Sequence, residues 1–226
     1  MGIWSALVFG FVASSGRTRV TDYYHCPTTT TVTSLKASSL EVEQQTSSIN
    51  TSDVDAETIH GWLIRPAEHD DKEEAAQVIQ QAFEETCRED YDPETLRIAA
   101  AMISKPQNRL IESGTWYVAE HPDSGHIVGC GGWCVEHKTG RASLQQFASD
   151  PNYPNSKIGS ALWKKTKEDI QQEFHPEEQM EVVSTLTAKP FYEKVGFEPV
   201  KNVDVPILLK KFPSVVMRRK VVTTKD

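Results

Sequence analysis

From Ile59 to Val221 the spacing of apolar residues keeps switching between two periods, and this alternation limits the possible folds more than any other feature of the chain. A period near 3.6 puts one stripe of a helix against a core, and a period of 2 puts one face of a strand there. Gly61–Arg65 reads as a strand stopped by Pro66. Asp70 and Asp71 then precede a helix, in which Ala75, Val78, Ile79, Ala82 and Phe83 share one face. Asp92 can cap a second helix, with Pro93 at its first position and Leu96, Ile98, Ala99, Ala100, Met102 and Ile103 following. Three strands come next, Thr115–Glu120, His126–Val135 and Ala142–Ser149. They are separated by turn signals at His121–Gly125 and Lys138–Gly140. Gly131-Gly132 predicts a bulge or a close backbone approach in the middle strand. A long helix begins near Lys157, with Ile158, Ala161, Leu162, Ile170 and Phe174 along one side. Met180–Thr185 is a strand, Ala188–Val195 a short helix stopped by Gly196, and Phe197–Val203 and Val215–Val221 close the sheet. The order β-α-α-β-β-β-α-β-α-β-β predicts an α/β (α+β) mixed sheet with helices on both faces.

The first 58 residues carry no such pattern. Ile3–Ala13 is a short apolar run, too short to span a bilayer and without a preceding Lys or Arg. Ser14 to Ser52 is crowded with Ser and Thr, and such a stretch cannot bury enough surface to offset its ordering entropy. The expected organisation is a disordered leader over residues 1–58, one domain over 59–222 and a tail over 223–226. Net charge is −8, which argues against a nucleic-acid binder working through a basic face. The four cysteines include no CxxC pair, so neither a disulfide scaffold nor a structural zinc site is expected, and the seven histidines show no HxxxH spacing. No membrane span is expected, and the expected location is intracellular and cytoplasmic, with a signal-like N-terminus as the alternative.

Two stretches carry a resemblance. Asp150-Pro151-Asn152-Tyr153-Pro154-Asn155-Ser156-Lys157-Ile158-Gly159-Ser160-Ala161-Leu162 resembles the acyl-CoA loop of the GNAT N-acetyltransferase superfamily, and Phe191-Tyr192-Glu193-Lys194-Val195-Gly196-Phe197 resembles its late FYxxxGF signature. Leu63–Ala67 and Val128–Trp133 add weaker support, and the resemblance covers roughly 59–222. It implies the GNAT-like acyl-CoA N-acyltransferase fold. The loop departs from the family pattern at two positions. Pro154 stands where Arg or Gln is usual, and Lys157 where the first glycine is usual.

The resemblance further implies transfer of an acetyl group from acetyl-CoA, the acyl donor, to a small-molecule or peptide amine. Asn155, Ser156, Lys157, Ile158, Gly159 and Ser160 would hold the pyrophosphate through backbone N–H groups at a helix start. In family members the pantetheine arm lies where the fourth and fifth strands of the domain splay apart, so backbone groups of Phe147, Ala148 and Ser149 match the positions that pair with it. Tyr192 matches the tyrosine that protonates the leaving thiolate. No base is assigned: Gln145 and Gln146 cannot take a proton at neutral pH, and Glu120, Glu136 and Glu181 read as solvated surface carboxylates. The alternative is a GNAT-fold protein with a degenerate loop that serves as a ligand-binding or interaction module. Trp116, Tyr117 and Trp133 read as core aromatics, Cys130 and Cys134 as buried thiols on one side of a strand, and Met217–Lys220 as an exposed strand edge.

Overall fold

The computed structural model describes residues 56–221 and two short strands before them, β1 (Val8–Phe9) and β2 (Tyr24–His25). The rest of the Ser/Thr-rich leader and the tail from 222 on lie outside the described residues. β3 (Glu57–Ile59) and β4 (Trp62–Pro66) form a hairpin whose turn is His60-Gly61, both with positive φ. Gly61 is therefore a turn residue rather than the start of the strand, and Pro66 is the strand's last residue. A short 3₁₀ turn leads into α1 (Lys72–Thr86), which buries the predicted stripe, and α2 (Pro93–Ile103) follows. The Asp92 carboxylate accepts from the Thr95 N–H, which fixes the start of α2 where the sequence places it. α3 (Asn108–Glu112) is an added helical turn with no sequence forewarning.

β5 (Trp116–Glu120), β6 (Ile127–Glu136) and β7 (Ala142–Ser149) form the expected meander. α4 (Ile158–Glu173), β8 (Gln179–Thr185), α5 (Lys189–Lys194), β9 (Glu198–Ile207) and β10 (Lys210–Lys220) complete the domain. The main sheet runs β3-β4-β5-β6-β7-β8-β10-β9. Every neighbouring pair in it is antiparallel except β7 and β8, which are parallel and register only at Ser143 opposite Glu181. Past that point the two strands diverge, and β1 pairs with β8 there, Val8 opposite Ser184 and Phe9 opposite Val183.

Each face of the sheet has its own core. α1 and α2 pack on Val118, Cys130, Cys134, Val183 and Val216, and α4 and α5 on Tyr117, Leu144, Phe147, Val182 and Met217. Trp116, Tyr117 and Trp133 are buried as expected, as are the Cys130 and Cys134 thiols. Both readings of Gly131-Gly132 hold. The β6–β7 register shifts between Cys130 and Gly132, and a Cβ on Gly132 would come within 2.2 Å of the Thr115 carbonyl oxygen. The reading of Met217–Lys220 needs correction. β10 lies inside the sheet between β8 and β9, Met217 is buried, and Arg218 pairs with Glu181 at 2.7 Å.

Candidate functional site

The chain leaves β7 through a sharp turn. The Asp150 N–H bonds the Val128 carbonyl, and the Asp150 carboxylate receives the Asn152 N–H at 2.8 Å. Two residues then take left-handed backbone, Asn155 (φ 60°) and Lys157 (φ 64°), and Lys157 is the N-cap of α4. Lys157 thus adopts the conformation for which glycine is the easy choice. Its side chain makes no capping bond, so the first N–H groups of α4, at Ile158, Gly159 and Ser160, lack helical partners. Left-handed residues alternating with others in a loop are the kind of backbone in which anion-binding nests form. A Cβ on Gly159 would meet nothing nearer than the Phe191 ring at 3.5 Å, so packing within the protein does not demand a glycine there. Its bare backbone leaves the loop open to a close approach.

The loop is held from across the sheet. The Trp62 indole N–H donates to the Ser156 carbonyl at 2.8 Å, and the Trp62 ring meets Tyr153 edge-on at 5.7 Å and His121 at 5.8 Å. The loop and the end of α5 enclose a solvent-open cleft of about 860 Å³. Of the residues expected to bind the donor, Ser149, Asn155, Ser156, Lys157, Ile158, Gly159 and Ser160 all line it, with Phe191 and Lys194 opposite. Phe147 and Ala148 are buried in β7 behind it, and Ala148 registers with Cys130 of β6.

Tyr192 does not line this cleft. Its ring is buried against Phe191 and Phe197, and its hydroxyl is buried with no hydrogen-bond partner among the described residues. Burial holds the phenol well above its ordinary pKa. Gln146 is a second buried group with an unmet bond. It takes φ 48° where β7 bulges, and its amide nitrogen donates to the Ile103 carbonyl at 2.8 Å. The Gln146 Oε1 has no partner among the described residues.

The carboxylates considered as bases all have structural work. Glu120 accepts from Arg65 at 2.7 Å, and Glu181 from Arg218. Glu136 is buried, not solvated, because its oxygens accept the Lys138 and Thr139 N–H groups of the β6–β7 turn. Glu136 and Glu181 also border a second cleft of about 750 Å³, on the α1/α2 face of the sheet. Among the described residues no group of three His, Cys, Asp or Glu could hold a metal ion, and no helix is long and apolar enough to cross a membrane.

Trp62 and Lys194 were not singled out by sequence, and Gln146 was weighed only as a base. Trp62 acts over 94 residues of separation, so no local pattern could reveal it. For Gln146 the signal was indirect: Gly131-Gly132 announced an irregularity but not which residue of the facing strand would bulge.

A mixed sheet with helices on both faces and one parallel pair, β7 and β8, that registers at a single point is the architecture of the GNAT acyl-CoA N-acyltransferase fold. The chain carries a match to the GNAT acetyltransferase domain family over residues 112–199, from the end of α3 into β9. Solved structures agree on the fold. A GCN5-related N-acetyltransferase from Rhodopseudomonas palustris is similar with a TM-score of 0.58 at 17% identity, covering 70% of this chain and 94% of that one. The PaiA N-acetyltransferase from Thermoplasma acidophilum, solved in complex with coenzyme A, is similar with a TM-score of 0.55 at 15% identity, covering 70% and 97%. A GNAT-family acetyltransferase from Staphylococcus aureus has a TM-score of 0.50 at 19% identity, covering 70% and 98%. No curated protein matches.

Proposed function

We propose that this chain is an acyl-CoA-dependent N-acyltransferase that moves an acetyl group from acetyl-CoA to an amine by direct attack. The observation that carries the reading is the loop: despite Pro154 and Lys157, its backbone takes left-handed turns at Asn155 and Lys157, and the residues that start α4 line a cleft. Backbone donors bind a diphosphate without any particular side chain, so the loss of the usual Arg or Gln is tolerable.

The chemistry then needs three things. The amine must lose a proton, the thioester carbonyl must be polarised, and the thiolate must gain a proton. The amine nitrogen bonds the carbonyl carbon and the C–S bond breaks. In the splay, backbone N–H groups of Phe147–Ser149 are the candidates for polarising the carbonyl. Tyr192 is the candidate acid. Its burial keeps the phenol protonated, and a nascent thiolate would supply the acceptor its hydroxyl lacks among the described residues. With Glu120, Glu136 and Glu181 engaged elsewhere, water is the better candidate to receive the amine's proton.

Tyr192→Phe tests the acid. Turnover of acetyl-CoA with a panel of primary amines should fall by roughly 10²-fold, with CoA affinity within about twofold of wild type. Equal turnover would remove Tyr192 from the chemistry. The second reading is a CoA-binding module without transfer, and the exclusion of Tyr192 from the cleft wall favours it. Binding of acetyl-CoA without consumption across the amine panel would establish that reading instead.

A further inference from the structure

β8 has two edges, and the domain fills only one of them. The first pairs with β10 without a break from Gln179 to Thr185. The second meets β7 at Glu181 and then loses it, because the two strands diverge. Left alone, that edge would carry unpaired N–H and C=O groups in the middle of a sheet, where Ser184 and Thr185 are fully buried. The chain supplies the missing partner itself. Val8 lies opposite Ser184 and Phe9 opposite Val183, in antiparallel register. With β10 on the other edge, β1 can only lie on the β7 side. Residues of β1 and β7 accordingly come within 8 Å of each other, Cα to Cα. β1 therefore fills the splay. The apolar run Ile3–Ala13, which has no place in the chemistry, is the sequence around this strand.

We propose that the segment at Val8–Phe9 is an autoinhibitory strand that shuts the splay against the acyl-CoA donor. This rests on the acyl-CoA reading, which puts the thioester beside Phe147–Ser149, and adds a regulation to it. The donor's pantetheine arm needs the gap that β1 occupies, so one excludes the other. Strand addition takes only main-chain bonds and an extended segment. Because the segment belongs to the same chain, it competes at an effective concentration set by the residues that join it to β3, whatever the protein concentration. A two-residue pairing is short, so an open fraction persists, and the apparent donor affinity is scaled by that fraction.

Calorimetric titration of the full chain with acetyl-CoA tests this, wild type against the double variant Val8→Pro/Phe9→Pro, which loses both strand N–H groups. Amide exchange across Val183–Ser184 is followed in the same two proteins. The variant should bind acetyl-CoA about tenfold more tightly than wild type, and exchange across Val183–Ser184 should quicken. A peptide of residues 3–20, added to the variant, should return its affinity toward the wild-type value in competition with acetyl-CoA. Equal affinity of the two proteins overturns the proposal, and so does an unchanged exchange rate. A wild-type affinity that weakens as protein concentration rises overturns it as well, since the strand would then come from a second copy. Faster exchange in the variant, with no acetyl-CoA binding by either protein, would keep β1 in the splay but remove the acyl-CoA reading, and the inhibition with it.

Discussion

Five non-glycine residues take positive φ among the described residues: His60, Gln146, Asn155, Lys157 and Leu208. Each costs on the order of 1–2 kcal/mol for an L side chain. Three of the five lie between the bulge of β7 and the start of α4, the stretch that forms the splay and the loop. Strain collected in one place is a mark of a working site. Leu208 is different. It sits in the two-residue turn between β9 and β10, where Ile207 faces Lys210, and its side chain is largely exposed. Asparagine suits such a turn far better. Leu208→Asn should therefore raise stability by about 1 kcal/mol in denaturant unfolding, and a fall in stability would show that the exposed leucine makes a contact that matters. The positive-φ residues were the least legible part of the sequence. Lys157 was noticed as a departure from a family pattern, but nothing in its chemistry announced that its backbone would still turn as a glycine does.

At the scale of elements, long periodic segments were readable and short ones were not. α1 and α4 follow their apolar stripes closely, β7 keeps the bounds Ala142–Ser149 read from sequence, and Asp92-Pro93 marked the start of α2. β3 has three residues and α3 has five, too few for a period to show. β9 runs on to Ile207 instead of ending near Val203, because the turn beyond it is Leu-Leu, which carries no turn signal. The coupling of β4 to the loop was equally hidden, since it depends on one indole bond across the sheet. That bond sets the direction of the Ser156 peptide and with it the Lys157 N–H. Trp62→Phe keeps most of the ring packing and removes the donor. It should lower CoA affinity about fivefold and cost roughly 1 kcal/mol of stability, with the helix content of the circular dichroism spectrum unchanged. Unchanged affinity would mean that the loop holds its shape without the indole.

Over the whole molecule, the sheet does two jobs. Its antiparallel pairs, with a core on each face, make a stiff frame, and its single parallel pair splays in the middle of that frame, where β1 pairs with β8. Order of elements was enough to foresee the frame, because alternation of period fixes which segments can pair. The splay was foreseen only through the resemblance, since no local feature of β7 or β8 says that their pairing stops after Ser143 and Glu181. The net charge of −8 is a poor guide to the cleft beside α4, whose lining residues include two lysines and no carboxylate. The central claim is that this cleft binds an acyl-CoA through the backbone of residues 155–160. Amide hydrogen exchange with and without CoA measures it directly. Slowed exchange at Lys157–Ser160 on addition of CoA, with the amides of α2 unaffected, is the predicted result; no protection of that stretch at millimolar CoA would contradict it.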